Sequence, residues 1–195
     1  TENWIKPILE LFNKNKEIAA IQPKIRAFEN SKYFEFAGAA GGMIDHLGYP
    51  YCRGRVFETI EEDLGQYDDE TEIFWATGCA LFIRRADFWK MKGFDERFFA
   101  HQEEIDLCWR LKNAGRKIYY CGKSTVFHVG GGTLNKQSPQ KTFLNFRNNL
   151  TMLLKNLPTS SLFWIIPLRL VLDGIAGVYF GMKDGFPHLI AVLKA

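Results

Sequence analysis

Residues 93–133 read GFDERFFAHQEEIDLCWRLKNAGRKIYYCGKSTVFHVGGGT, and this stretch decides the fold class. Gln102 to Ala114 carries apolar residues at helical spacing and is followed by Gly115, with Lys112, Arg116 and Lys117 near the negative end of the helix dipole. Ile118 to Cys121 and Thr125 to Val129 are short apolar runs and predict two strands, and Gly130 to Gly132 predicts a turn. Just upstream, Ile73 to Arg85 (IFWATGCALFIRR) is apolar on both faces and predicts a central strand. A short helix follows over Asp87 to Lys92, ended by Gly93. Helices alternate with strands, so the class is α/β.

The flanks extend this pattern. Thr1 to Lys16 predicts a helix capped by Thr1 or Asn3, with Trp4, Ile5, Ile8, Leu9, Leu11 and Phe12 at helical spacing. Ile18 to Ile25 predicts a strand, and Pro23 within it points to a sheet edge. Tyr33 to Ile44 (YFEFAGAAGGMI) alternates and then turns glycine-rich, which implies tight turns or a close backbone approach. Residues 58–72 predict an acidic surface loop. Ser138 to Asn156 predicts a long amphipathic helix, and Ser161 to Met182 an apolar helical stretch kinked or broken near Pro167 and Gly174.

With 195 residues, 47% hydrophobic and 15% aromatic, the chain can bury a real core and is too apolar for a disordered segment. The formal net charge of +3 conceals an uneven distribution. Eight acids and no base lie between Glu58 and Glu72, leaving 14 acids against 25 bases elsewhere. From Thr133 onward seven bases face only Asp173 and Asp184. A tail both basic and apolar suits an anionic membrane surface, whereas a core-packing helical tail is the plainer reading. Cysteines 52, 79, 108 and 121 have no zinc-ligand spacing. Their apolar surroundings predict buried free thiols in a reducing cytoplasm. No signal peptide is visible, and the opening Thr-Glu-Asn-Trp, without an initiator Met, reads as a piece of something longer.

The run Gln102-Glu103-Glu104-Ile105-Asp106 places three acids in the first turns of a helix, where the dipole favours negative charge. Asp106 and Arg110 stand four apart and can pair on the surface. Glu104 shares an arc with Leu107, Cys108 and Leu111, whereas Glu103 lies nearer Asp106 and Arg110 on the polar side. A carboxylate at a helix mouth, turned inward, can take a proton from a substrate hydroxyl. Adjacent carboxylates cannot straddle a glycosidic bond, which argues against a conventional glycoside hydrolase.

Four elements then occur in one order between Phe74 and Thr133: the strand ATGCALFIRR, GFDERFF, an acidic pair opening a helix, and His128 followed by Gly131-Gly132-Thr133. Together they resemble the second half of family 2 glycosyltransferases, in particular the rhamnosyl- and galactofuranosyltransferase branch. The resemblance implies the acceptor-side half of a GT-A (nucleotide-diphospho-sugar transferase) fold with a mixed sheet over residues 1–133, and a helical amphipathic tail over 134–195. It also implies inverting transfer from a nucleotide-sugar donor to a glycan or lipid-linked acceptor, at the cytoplasmic face of the cell membrane. Nucleic acid is not among the expected partners. The second residue of the family's acidic pair is its catalytic base, which corresponds to Glu104, with Glu103 the competing choice and Asp106 a supporting or acceptor-contacting group. His128 resembles a histidine that helps bind Mn²⁺ or Mg²⁺. One imidazole cannot hold such an ion, so most of its ligands are expected upstream of Thr1.

Several other residues carry weaker signals. Trp75, Thr77, Gly78 and Cys79 lie just ahead of the carboxylate helix, and Trp75 could stack on a sugar ring or fill the core. Arg53 and Arg55 could meet an anionic acceptor or phosphate, or merely be solvated. Consecutive glycines 130–132 can form a nest of N–H groups for phosphate oxygens. Asp68-Asp69-Glu70 imitates a metal-binding Asp-x-Asp but precedes the central strand, and reads as a decoy. Arg147-Asn148 also matches a family pattern, without a role legible from the sequence. The competing readings are a degenerate, non-catalytic module acting as a membrane-bound assembly partner, and a metal-dependent phosphohydrolase, which needs more ligands than this segment offers.

Overall fold

The computed structural model describes residues 3–130 and 138–195. The chain divides into two compact units. The first draws on Thr1–Asp45, Tyr49–Phe94 and Glu104–Gly130, the second on His46–Gly48, Asp95–Glu103 and Gly131–Ala195.

In chain order the first unit holds α1 (Lys6–Lys14), β1 (Ile18–Ala27), β2 (Gly42–Ile44), β3 (Pro50–Cys52), β4 (Arg55–Val56), β5 (Thr59–Ile60), β6 (Glu70–Ile73), β7 (Phe82–Ile83), α2 (Arg85–Lys90), α3 (Glu103–Asn113, from Glu104) and β8 (Lys117–His128). Strands β6, β8, β1 and β7 form a mixed sheet in that order, with β1 and β8 parallel and the two outer pairings antiparallel. Ile8 and Leu11 of α1 bury against Ile18, Ile21 and Cys121. A smaller meander, β2-β3-β4-β5, carries the glycine-rich segment. There Gly42 lies against the indole of Trp75, with no room for a Cβ, which would come within 2.1 Å of the ring.

Several sequence expectations change here. Helix α1 begins at Lys6, without a side-chain cap. Ile73 to Arg85 is not one central strand but the end of β6, a 3-10 turn at Gly78–Ala80, and β7. Its apolar faces reflect burial in a bent segment rather than a central place. Strand β1, expected at an edge, is central instead. Pro23 is tolerated because the β1–β8 register breaks just after it, and Cys121 and Thr125 pair with the adjacent residues Pro23 and Lys24. The same bulge joins the two short strands expected over 118–129 into the single strand β8. The acidic stretch contains β5 and β6, and its Asp63 is buried in a pair with Lys24.

Helix α3 ends as its sequence predicts. Gly115 takes φ +77°, Arg116 N donates to Leu111 O, and Gly115 N donates to Lys112 O, which together satisfy the last carbonyls.

The second unit holds α4 (Pro139–Asn156), α5 (Thr159–Lys183) and α6 (Phe186–Leu193). Helix α5 runs unbroken through Pro167 and Gly174, contrary to the expected break. An interior proline costs about 3 kcal/mol, which the helix withstands through its packing in this unit. Arg169 and Asp173, one turn apart on α5, face inward and pair at 3.2 Å, and Arg169 also donates to Leu47 O at 2.7 Å. The opposite face exposes Trp164, Leu168, Val171, Ile175, Val178 and Met182. The charges are inside and the hydrocarbon is outside.

Candidate active site around the carboxylate helix

Thr77, Gly78 and Cys79 converge where the chain bends out of the sheet. The Thr77 amide donates to Gln22 Oε1 on β1, and the Gln22 amide donates to Gly38 O. Gly38 needs its glycine, with φ +111° and the Thr77 side chain within 2.5 Å of where a Cβ would stand. Thr77 Oγ1 accepts from Cys79 N and caps the 3-10 turn. Gly78 is exposed and lies against the carboxylate helix, where a Cβ would stand 3.9 Å from Glu104 Cβ.

Glu104 is half-buried. Its charge reaches three thiols. Burial raises Cys108 to about 12 and Cys79 to about 11, burial also raises Cys52, and Glu104 adds to each. Glu103, the other half of the pair, is half-buried too, and its Oε2 meets no hydrogen-bond donor among the described residues. Cys79 departs from the expectation of four buried thiols: Cys52, Cys108 and Cys121 are buried, whereas Cys79 is exposed and donates to Ala37 O. The turn that presents Gly78 lifts Cys79 toward solvent with it.

His128 ends β8 with its Nδ1 3.5 Å from Glu35 Oε2. Glu35 is buried, accepts from Ala37 N, and lies 3.0 Å from where a Cβ on Gly130 would stand. Its charge also adds to the rise of the Cys79 thiol. Glu35 thus brings His128, Gly130 and the 77–79 turn into one neighbourhood, and sequence reasoning did not single it out. The available signal was one acid inside the apolar alternation Tyr33-Phe34-Glu35-Phe36. Gly130 has φ +70°, while the rest of the expected phosphate nest, residues 131 and 132, lies outside the described residues. No group of three His, Cys, Asp or Glu side chains suited to a metal ion occurs among the described residues. His128 offers one imidazole and not a ligand set.

Other candidates take structural parts. Asp106 is wholly buried rather than on the surface, because the chain at 91–93 lies over that side of α3. Arg110 donates to Asp106 at 2.8 Å and to the carbonyls of Met91 and Gly93, so Asp106 supports the helix and is not placed to touch an acceptor. Trp75 is buried and donates to Met43 O at 2.8 Å, which removes it as a sugar platform. Arg53 is bound by Asp69 at 2.9 Å and lies over the rings of Tyr67 and Tyr120, so its charge is already neutralised. Arg55 lies over Phe36 and donates to Phe57 O. Asp68, Asp69 and Glu70 pair with Lys24, Arg53 and Lys123, which gives each a structural partner. A cavity of about 550 Å³, lined by Trp4, Arg26, Lys123 and Phe127 among others, holds none of the carboxylates. Its two bases pair with Asp63 and Glu70.

The architecture is α/β, a mixed sheet with helices at the C-terminal side, and is compatible with part of a GT-A fold. The chain is 26% identical over 174 residues to N-acetylglucosaminyl-diphospho-decaprenol L-rhamnosyltransferase from two strains of Mycobacterium tuberculosis. That match takes in 87% of this chain and 55% of theirs, so the chain spans about half the length of these curated relatives. It is also 39% identical over 59 residues to rhamnosyltransferase WbbL of Escherichia coli, covering 30% of this chain and 22% of that one. No family model matches the chain. Its curated homologues are therefore rhamnosyltransferases, consistent with the resemblance to the rhamnosyltransferase-like branch of family 2.

Proposed function

We propose that the full-length protein is an inverting glycosyltransferase that moves a sugar from a nucleotide-diphosphate donor to a hydroxyl of a lipid-linked or glycan acceptor. The observation that carries this is the half-buried Glu104 at the mouth of α3, facing the exposed Gly78 of the 77–79 turn. A glycine there leaves room for an acceptor hydroxyl beside the carboxylate. Glu104 takes the proton as that oxygen attacks the anomeric carbon from the side opposite the leaving diphosphate. His128 would give one imidazole to Mn²⁺ or Mg²⁺, with the remaining ligands drawn from outside the described residues. When bound, such an ion neutralises charge on the diphosphate. Because the mycobacterial homologues are named for rhamnosyl transfer to a decaprenol-linked sugar, a nucleotide-activated rhamnose and an N-acetylglucosaminyl-diphospho-polyprenol are the pair to try first.

The acceptor's lipid supports a site at the cytoplasmic face of the membrane. Helix α5 is long and apolar enough to cross a bilayer, yet its Arg169–Asp173 pair is bound inside the second unit. A helix with its charges held on one side and Phe163 87% exposed on the other is suited to lie along the interface.

Transfer is measured with the full-length protein and its Glu104→Gln and Glu103→Gln variants. Loss of a general base costs about 10²–10⁴-fold in rate. That loss is expected for Glu104→Gln, with a much smaller change for Glu103→Gln. An unchanged rate in Glu104→Gln overturns the base assignment. A wild-type protein that binds no nucleotide-sugar and transfers nothing supports the non-catalytic module instead.

A further inference from the structure

The turn that launches α3 has an unusual backbone. Phe99 adopts φ +63° and ψ −58°, and Ala100 N donates to Phe98 O at 2.7 Å, which is a γ-turn of the rare, strained hand. His101 and Gln102 follow at φ +72° and +69°. None of the three is glycine, so each sits in a region that L residues rarely adopt. Strain of this kind persists where the surroundings over-determine it, and it gathers at functional sites.

Helix α4, in the same unit, supplies what holds it. Asn148 is 1% exposed, and its amide nitrogen donates to the carbonyls of Phe98, Ala100 and His101 at 3.0, 2.8 and 2.7 Å. Arg147 donates to Asn148 Oδ1 from both Nε and Nη2, at 2.9 and 2.7 Å, so the oxygen is occupied and the nitrogen must face the turn. Arg147 also donates to the carbonyls of Arg97 and Phe98. At the far end Gln102 donates to Asn145 O and accepts from Asn149. The next residue is Glu103, the first of α3, followed by Glu104.

We propose that Asn148, oriented by Arg147, is a positioning residue for transfer: it locks the left-handed turn at 99–102 and so holds the backbone that runs directly into Glu103 and, through the next peptide bond, Glu104. The proposal rests on the transferase reading for its link to turnover, but not for the clamp itself. A side chain whose amide, with two hydrogens and one of them shared, reaches the carbonyls of Phe98, Ala100 and His101 cannot be replaced by a shorter or acceptor-only group without releasing some of them.

The test uses the full-length protein and compares Asn148→Ala and Asn148→Ser with Asn156→Ala. Asn156 is a buried asparagine of the same helix, and its amide donates to Met152 O within α4. Transfer kinetics and hydrogen exchange of amides 99–104 are measured at a temperature where all variants are folded. Asn148→Ala is expected to lower kcat at least tenfold with donor KM within twofold, and to speed exchange at 99–104 at least tenfold. Asn148→Ser, which keeps one donor, falls between, and Asn156→Ala stays within twofold of wild type in both. Equal kcat losses in Asn148→Ala and Asn156→Ala, or unchanged exchange at 99–104, overturn the proposal. Should Asn148→Ala not fold, Arg147→Ala replaces it with the same expectations. If the wild-type protein transfers no sugar, the transferase reading falls, while the exchange comparison still decides the clamp.

Discussion

Arg110 Nε lies 2.8 Å from Asp106 Oδ2, and Asp106 has no exposed surface. The same guanidinium donates to the carbonyls of Met91 and Gly93, so one side chain ties the middle of α3 to the chain that follows α2. Removing one partner of a buried pair costs about 3–5 kcal/mol, because the other charge loses its compensation in a dry place. Arg110→Ala is therefore expected to lower the unfolding free energy, measured by urea titration, by that order. The double variant Asp106→Leu/Arg110→Met should recover a large part of the loss, as apolar replacements of buried pairs often do.

Cys79 provides a test of geometry that needs no substrate. Burial first, then the charges of Glu35 and Glu104, push its thiol up to about 11 despite its exposed surface. Only the thiolate reacts, so alkylation by iodoacetamide should rise about tenfold per pH unit between pH 8 and 10 without levelling off. Glu104→Gln removes a neighbouring negative charge, which lowers the thiol's pKa and increases the rate at pH 8. A plateau near pH 9, or no response to Glu104→Gln, would separate Cys79 from Glu104.

Asp95 in the second unit sets an acid dependence. The Arg97 guanidinium, and then the Lys155 ammonium, hold its carboxyl well below the usual carboxylate range. A depressed folded-state pKa contributes stability above the unfolded value, about 4, and that contribution is lost as pH falls toward the folded value. Asp95→Asn should thus destabilise the protein at pH 7, with the difference from wild type shrinking steadily below about pH 4. Thermal unfolding across pH 2 to 7 measures it.

The outer face of α5 predicts partition onto anionic vesicles. Val171 and Ile175 are exposed on the stripe opposite Arg169 and Asp173. Replacing each with Glu exchanges apolar burial for a buried charge of the same sign as the lipid, so Val171→Glu/Ile175→Glu should cut vesicle binding at least tenfold in co-sedimentation, with the fold unchanged by circular dichroism.

What the chain's own pattern determined was local and periodic. The Gly115 stop of α3, the α/β alternation and the long helix ahead of Pro158 follow from spacing and capping chemistry, which neighbours in sequence decide. That the carboxylate pair stands at a helix mouth and His128 at a strand end was legible for the same reason, whereas the roles expected of them came from the family resemblance. Long-range partners were not legible. Only the sheet order made β1 central and rescued Pro23 at a bulge. Only packing showed that Asp106 and Trp75 are buried, that Arg53 is already paired, and that Glu35 stands beside His128. Periodicity says which face a residue shares, but not whether that face meets water, protein or lipid. In α5 the spacing of four puts Arg169 and Asp173 on one face, and only tertiary structure turns that face inward, because a paired, hydrogen-bonded charge can be buried where hydrocarbon is left outside.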